Sequence, residues 1–215
     1  MAYYFPEGSQ QQFSNTFAAA KTISAITNAN PAVATANAHG YATGDEILLT
    51  SGWEDATDSV YKVEVVDANS FKIVDLDTSD VSFFPAGGGA GTAQKISGWA
   101  TMPQVLTVGS SGGDPRFTDV NPLAKRNGIR IPTGFNATSI TLSLAYDPNN
   151  ANYKAMLAIS RTLKKVAFKQ VISGGAVTYG YGYMSVSEMP QMNNNQVLTV
   201  QAAMTILGRS ISYAS

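Results

Sequence analysis

The 215-residue sequence contains no cysteine and a single histidine, His39. Without thiols there is no disulfide framework, no thiolate nucleophile and no cysteine-based zinc site. Charge is also scarce, at 13% of residues, against about 25% in ordinary soluble domains. No apolar run approaches the roughly 18–20 residues that a transmembrane helix needs. The opening MAYYFPEGSQQQF lacks the basic and apolar regions of a secretory signal, so synthesis and folding in a cytoplasm are expected. What is plentiful is Asn, Ser, Thr, Gly and Tyr. A sparsely charged surface of this kind suits contact with other protein better than free diffusion.

The few charges are unevenly placed. Ten of the fifteen acids lie between Asp45 and Asp80, opposed there only by Lys62 and Lys72, a net −8, while the remainder carries +7. Such halves attract each other between copies, and the pattern lacks the single dominant basic field of a nucleic-acid binder.

Along the chain, short strand-like runs dominate. VYKVEVV (60–66), SFKIVDL (70–76), TSITLSLAY (138–146), VAFKQVI (166–172), AVTYGYGYMSVS (176–187) and QVLTVQAAMTIL (196–207) alternate or are rich in β-branched and aromatic residues. In the last, Leu198, Val200, Ala202, Met204 and Ile206 face a core, and Thr199, Gln201, Ala203 and Thr205 face water or a solvated lumen. One helix is expected at about 148–165, with Asp147 as N-cap and Pro148 in the first turn. PAGGGAGT (85–92) reads as a flexible or turn-forming boundary, and SSGGDPRFTDVNPLAKRNG (110–128) as a long loop. The expected fold is mostly β. Residues 1–21 form an N-terminal arm and a first element, 22–95 a small β-module, and 96–215 the main β-domain.

Catalytic motifs are sought and not found. His39 stands in HGYATGDEILLTSG beside Asp45, Glu46 and Ser51, but no nucleophile elbow accompanies it, and Gly40 and Gly44 mark a turn. Asp75, Asp77 and Asp80 lack the glycine and distal glutamate of a calcium loop. GGGAGTAQK lacks the G-K-[ST] ending of a phosphate loop. No enzyme, cofactor or metal is expected. Tyr3, Tyr4 and Phe5 on the arm, Trp53, and the basic residues Arg116, Lys125, Arg126 and Arg130 are instead the candidate subunit contacts.

The order TSITLSLAY, YDPNNANYKAMLAI, strand, SGG turn, aromatic strand and MTILGRSISY resembles the major tail tube proteins of long, non-contractile-tailed (siphovirus-type) bacteriophages. The block 23–53, with its HGY…GD turn, is similar to a small β-module common in phage tail proteins. The resemblance implies a β-sandwich, barrel-forming subunit with one flanking helix and an inserted module. It further implies a virion structural protein that self-assembles into hexameric, stacked rings, with DNA passing through the lumen without specific binding. Tape-measure, tail-tip and tail-terminator proteins are the implied partners, and no membrane is involved. The competing reading is a carbohydrate- or surface-binding module using Trp53, Trp99 and the tyrosine strand.

Overall fold

The computed structural model describes residues 6–124 and 126–214. In chain order the first strands are β1 (Gln10–Ser14), β2 (Thr16–Phe17), β3 (Lys21–Ile23), β4 (Ala25–Ile26), β5 (Val33–Thr35) and β6 (Glu46–Ser51). They are followed by β7 (Ser59–Asp67), β8 (Ser70–Ile73), β9 (Gly91–Ser97), β10 (Ala100–Thr101), β11 (Val105–Ser111) and β12 (Pro115–Val120). The remainder are β13 (Ile129–Phe135), β14 (Ser139–Ala145), α1 (Ala151–Thr162), β15 (Lys165–Val171), β16 (Val177–Val186), β17 (Thr199–Ile206) and β18 (Ile211–Tyr213). The fold is mostly β, with all pairings antiparallel.

The main sheet runs β10-β1-β15-β16-β17-β14-β11, with β18 also paired to β16. Alternation in β14 sends Ile140, Leu142 and Leu144 to one face and Thr141 and Ser143 to the other. Register pairs these with Met204, Ala202 and Val200 of β17, so apolar residues meet apolar residues across the strands. Phe13, Val166, Phe168 and Met184 extend the same core. Each large apolar side chain taken from water there contributes roughly 1.5–3 kcal/mol. Gly180 and Gly182 of β16 fall on this face because a larger residue would not fit. A Cβ at Gly182 would stand 1.9 Å from the Thr205 carbonyl oxygen.

Helix α1 covers this core with Tyr153, Met156 and Ile159. It starts later than the sequence suggested. Asn150, not Asp147, is the N-cap, its side-chain oxygen accepting from the N–H groups of Asn152 and Tyr153 at 2.9 and 3.2 Å. Asp147 serves the turn before it, accepting from Asn149 N–H at 3.0 Å. Two competent caps three residues apart made the start ambiguous. The helix ends at Leu163 in the left-handed conformation (φ 51°), and Lys165 already belongs to β15.

The second sheet runs β2-β9-β6-β7-β8-β5-β4, and β3 pairs with β9. Lys21–Ile23 hydrogen-bonds to β9 at one end of the order, and the adjoining Ala25–Ile26 to β5 at the other. The sheet therefore closes on itself as a small barrel, a geometry that removes free edges. Its interior holds Ile23, Ile47, Leu49, Trp53, Tyr61, Val63, Phe71 and Ile73. Gly88, Gly89 and Gly91 of the 85–92 stretch pack tightly here. A Cβ at Gly91 would lie 2.0 Å from the Thr50 carbonyl oxygen, so only glycine lets β9 lie this close to β6.

A third cluster joins barrel to sheet. Leu48, Val60 and Ile96 of the barrel pack on Ala167, Tyr179, Tyr181 and Tyr213. Tyr213 ties both units: its hydroxyl donates to Val74 O at 3.1 Å and accepts from Lys62 N–H at 3.0 Å.

Candidate assembly surfaces

The one histidine is fully occupied. His39 is 3% exposed; its Nε2 donates to Asp67 O at 2.8 Å and its Nδ1 accepts from Tyr41 N–H at 3.0 Å. Both ring nitrogens hold backbone, and the ring packs on Tyr41 and Phe71. The acids beside it are occupied too. Asp45 pairs with Lys95 at 2.7 Å. Glu46 accepts from Lys169 Nζ at 2.7 Å and from the Tyr179 hydroxyl across the barrel–sheet junction. Burial, reinforced by the Glu46 carboxylate, pushes the Tyr179 phenol far above its usual range. No group of three or more metal-ligating side chains occurs among the described residues.

The same junction absorbs the aromatics of the sugar-binding reading. Lys169 Nζ lies 5.3 Å from the Trp99 ring centroid, and Lys62 Nζ 4.9 Å from that of Tyr213. Tyr179 and Tyr181 are buried beneath the barrel. A stacking platform needs several open rings; Tyr179 and Tyr181 are covered, and on the tyrosine strand Tyr183 alone, at 40%, is exposed.

Residues 110–128 are not wholly the loop that the sequence suggested: Ser110 and Ser111 close β11, and Pro115–Val120 form β12. β12 and β13 pair only with each other, as a two-stranded ribbon continuing from the end of β11 and β14. Its six paired positions span about 20 Å at roughly 3.3 Å per residue. Gly112 and Gly113, both with positive φ (88° and 79°), form the junction where the ribbon leaves the sheet. Paired residues share a face, so Thr118 with Ile131 and Val120 with Ile129 make one side. The other side carries Phe117, Asp119 and Arg130, with the guanidinium 5.0 Å from the Phe117 ring and 3.1 Å from the Asp119 carboxylate. Nearly every residue of the ribbon is exposed. A lone two-stranded ribbon is marginal in water, and this one leaves Val120, Ile129, Ile131 and Phe135 uncovered.

Two further features of the main sheet remain open. β11 is one of its two edge strands, with Leu106 and Val108 exposed. A groove of about 380 Å³ separates it from Ser9, Gln11 and Ile172. The face of β14 and β17 opposite the core presents Thr141, Ser143, Gln201, Ala203 and Thr205, all uncharged.

Of the candidate contact residues, Arg116 and Arg130 lie on the ribbon and Arg126 near its tip, all exposed. Trp53 is a correction. It is 3% exposed, donates its indole N–H to Pro85 O at 2.9 Å and meets Phe84 edge-on. It fills the barrel interior and presents no surface to a neighbour. Tyr3, Tyr4, Phe5 and Lys125 lie outside the described residues. Sequence reasoning missed the ribbon's strands and the Glu46–Lys169 pair. The first left a trace in the β-branched alternation of Ile129 and Ile131. The second joins residues 123 positions apart and left none.

The sequence matches the family model described as phage tail tube protein, TTP, over residues 51–215. No curated protein matches it. Similar solved structures include the SPP1 tail tube, determined by solid-state NMR and cryo-EM. It has 16% identity and a TM-score of 0.44, over 55% of this chain and 70% of that one. Another is the tail of an empty GTA particle refined with C6 helical symmetry. It has 19% identity and a TM-score of 0.43, over 55% of this chain and 89% of the other.

Proposed function

Because the chain belongs to the phage tail tube protein family, we propose that its copies join side by side into rings, six to a ring, and that the rings stack into a tube through which DNA passes. The protein is a structural component of the virion and not an enzyme. The observation that carries the ring reading is the unfinished main sheet. Its companion sheet closes on itself, whereas β11 keeps an unpaired edge with Leu106 and Val108 exposed. A neighbour's strand would supply the missing hydrogen bonds and cover that edge. Six-fold closure is what the resemblance to siphovirus-type tail tube proteins implies.

The uncharged face of β14 and β17 suits the lumen. The electrostatic part of DNA affinity comes from lysines and arginines that neutralise phosphates. Thr141, Ser143, Gln201, Ala203 and Thr205 offer none, so a duplex passes without being held. Tyr3, Tyr4 and Phe5 serve as docking anchors between copies in the same scheme, and deleting residues 1–8 should slow polymer growth.

Negative-stain electron microscopy of the purified chain across concentrations, with light scattering on a sizing column, tests the proposal. Rings or tubes are expected. A chain that stays monomeric at every concentration refutes it.

A further inference from the structure

Among the asparagines of the chain, Asn127 alone is followed by glycine. It lies near the tip of the ribbon, in a bend just short of Ile129, where β13 begins, and both Asn127 and Gly128 are exposed. An asparagine side chain is open to attack by the backbone nitrogen of the residue that follows it. A Cβ on that residue crowds the approach, and glycine has none. Gly128 also stands outside the β12–β13 ladder, and among the described residues its N–H and the Asn127 side chain have no hydrogen-bond partner. Nothing holds either group away from the other.

The other asparagines are placed differently. The Asn28 amide donates to Thr78 O and Phe84 O at 3.0 and 2.7 Å. Asn69 accepts from Ala38 N–H at 2.9 Å, and Ser70 after it already belongs to β8. Asn150 caps the helix. Asn30 and Asn121 precede prolines, which have no N–H. Asn193, Asn194 and Asn195 are exposed, but each is followed by a residue with a side chain.

We propose that Asn127 is a site of spontaneous modification, at which the side-chain amide becomes an acid. The Gly128 nitrogen gives its proton to water or hydroxide and bonds to Asn127 Cγ. The bond from Cγ to the side-chain nitrogen breaks, and that nitrogen takes a proton and leaves as ammonia. Water then opens the cyclic imide at one of its carbonyls. Opening at Cγ gives aspartate, and opening at the backbone carbonyl gives a β-linked aspartate whose chain runs through Cβ. Water is the one reagent consumed.

Either product puts a new carboxylate on the ribbon. Arg116, Lys125, Arg126 and Arg130 against Asp114 and Asp119 give 4 − 2 = +2, which falls to +1. The β-linked form also lengthens the backbone beside the Val120–Ile129 pair, where the register ends, and loosens it. A copy that waits long before use is thus marked at its tip.

Peptide mapping of the full chain, kept warm in mildly alkaline buffer made with heavy-oxygen water, reads this chemistry. Conversion during later handling then carries no label. Asn127 should convert ahead of every other asparagine, take up heavy oxygen and yield both aspartate and its β-linked isomer. Amide exchange should quicken at Val120 and Ile129 in the aged chain and stay unchanged in the barrel. Gly128→Ala should slow conversion by about tenfold or more, and the close neighbour of its Cβ is the Asn121 side-chain oxygen, which can swing aside. Asn127→Gln would have to close a larger ring, so it should stay unmodified and keep the parent's exchange. Survival of Asn127 while another asparagine converts overturns the assignment. So does aspartate without the β-linked isomer, since direct hydrolysis of the side chain gives aspartate alone. Unaltered exchange at Val120 and Ile129 overturns the loosening.

Discussion

The barrel and the ribbon are both antiparallel β-structure, yet they treat their edges and apolar residues in opposite ways. In the barrel, one short stretch (Lys21–Ile26) is shared between β9 and β5, the sheet closes, and Phe71, Ile73 and Tyr61 face inward. In the ribbon, two strands pair with nothing else, and Val120, Ile129 and Ile131 face water. A barrel is finished within one chain. A ribbon of this kind keeps its apolar side uncovered, so one should answer to changes in folding and the other, if copies meet there, to changes in assembly.

Single truncations should draw that contrast most sharply. Phe71→Ala removes a fully buried ring and should cost about 3–5 kcal/mol of stability, read as a lower denaturation midpoint. Ile131→Ser on the ribbon should shift the midpoint by no more than about 0.5 kcal/mol, while light scattering shows slower polymer growth. A ribbon variant that melted like the barrel variant would erase the distinction.

An intermediate effect is expected at the junction. Lys169→Met leaves Glu46 without its cation in a mostly buried place and should cost about 1–3 kcal/mol. Adding Glu46→Gln removes the stranded charge, keeps an acceptor for the Tyr179 hydroxyl and should restore part of the loss. Thermal melts of the three chains decide it.

The gentlest probe is alkali. Burial is the main cause that pushes Tyr41, Tyr61 and Tyr181 up from 10.0 to about 12. The folded state thus favours the neutral phenol, which the unfolded chain loses at about 10. Stability from these groups is whole below pH 10 and is lost as pH rises from there toward 12. The ribbon contains no tyrosine. The share of tyrosinate absorbance that belongs to the buried rings should therefore rise only with loss of the barrel's dichroism, and the whole ten-tyrosine signal appearing near pH 10 with the fold intact would contradict the burial.

The parts of this fold legible in the sequence are those where a period survives. Ile140, Leu142 and Leu144 alternate cleanly, as do Val200, Ala202, Met204 and Ile206, and both strands lie where the alternation placed them. The HGY turn was readable from its glycines. The ribbon was not, because exposure on both sides leaves only the short alternation of Ile129 and Ile131, and Pro115, Pro132 and Gly134 look like loop punctuation. Trp53 misled for another reason: an isolated tryptophan amid acids reads as surface, and only the packing of Phe84 and Gly89 against it reveals an interior. Closure of the barrel depends on which strand β3 and β4 each choose, and composition carries no trace of that choice.

One feature of the main sheet reaches past the single subunit. Its two ends are different strands, β10 and β11. Copies joined through such unlike edges would make a heterologous contact, which closes into a ring where the rotation between neighbours divides a full turn and otherwise runs on as a helix.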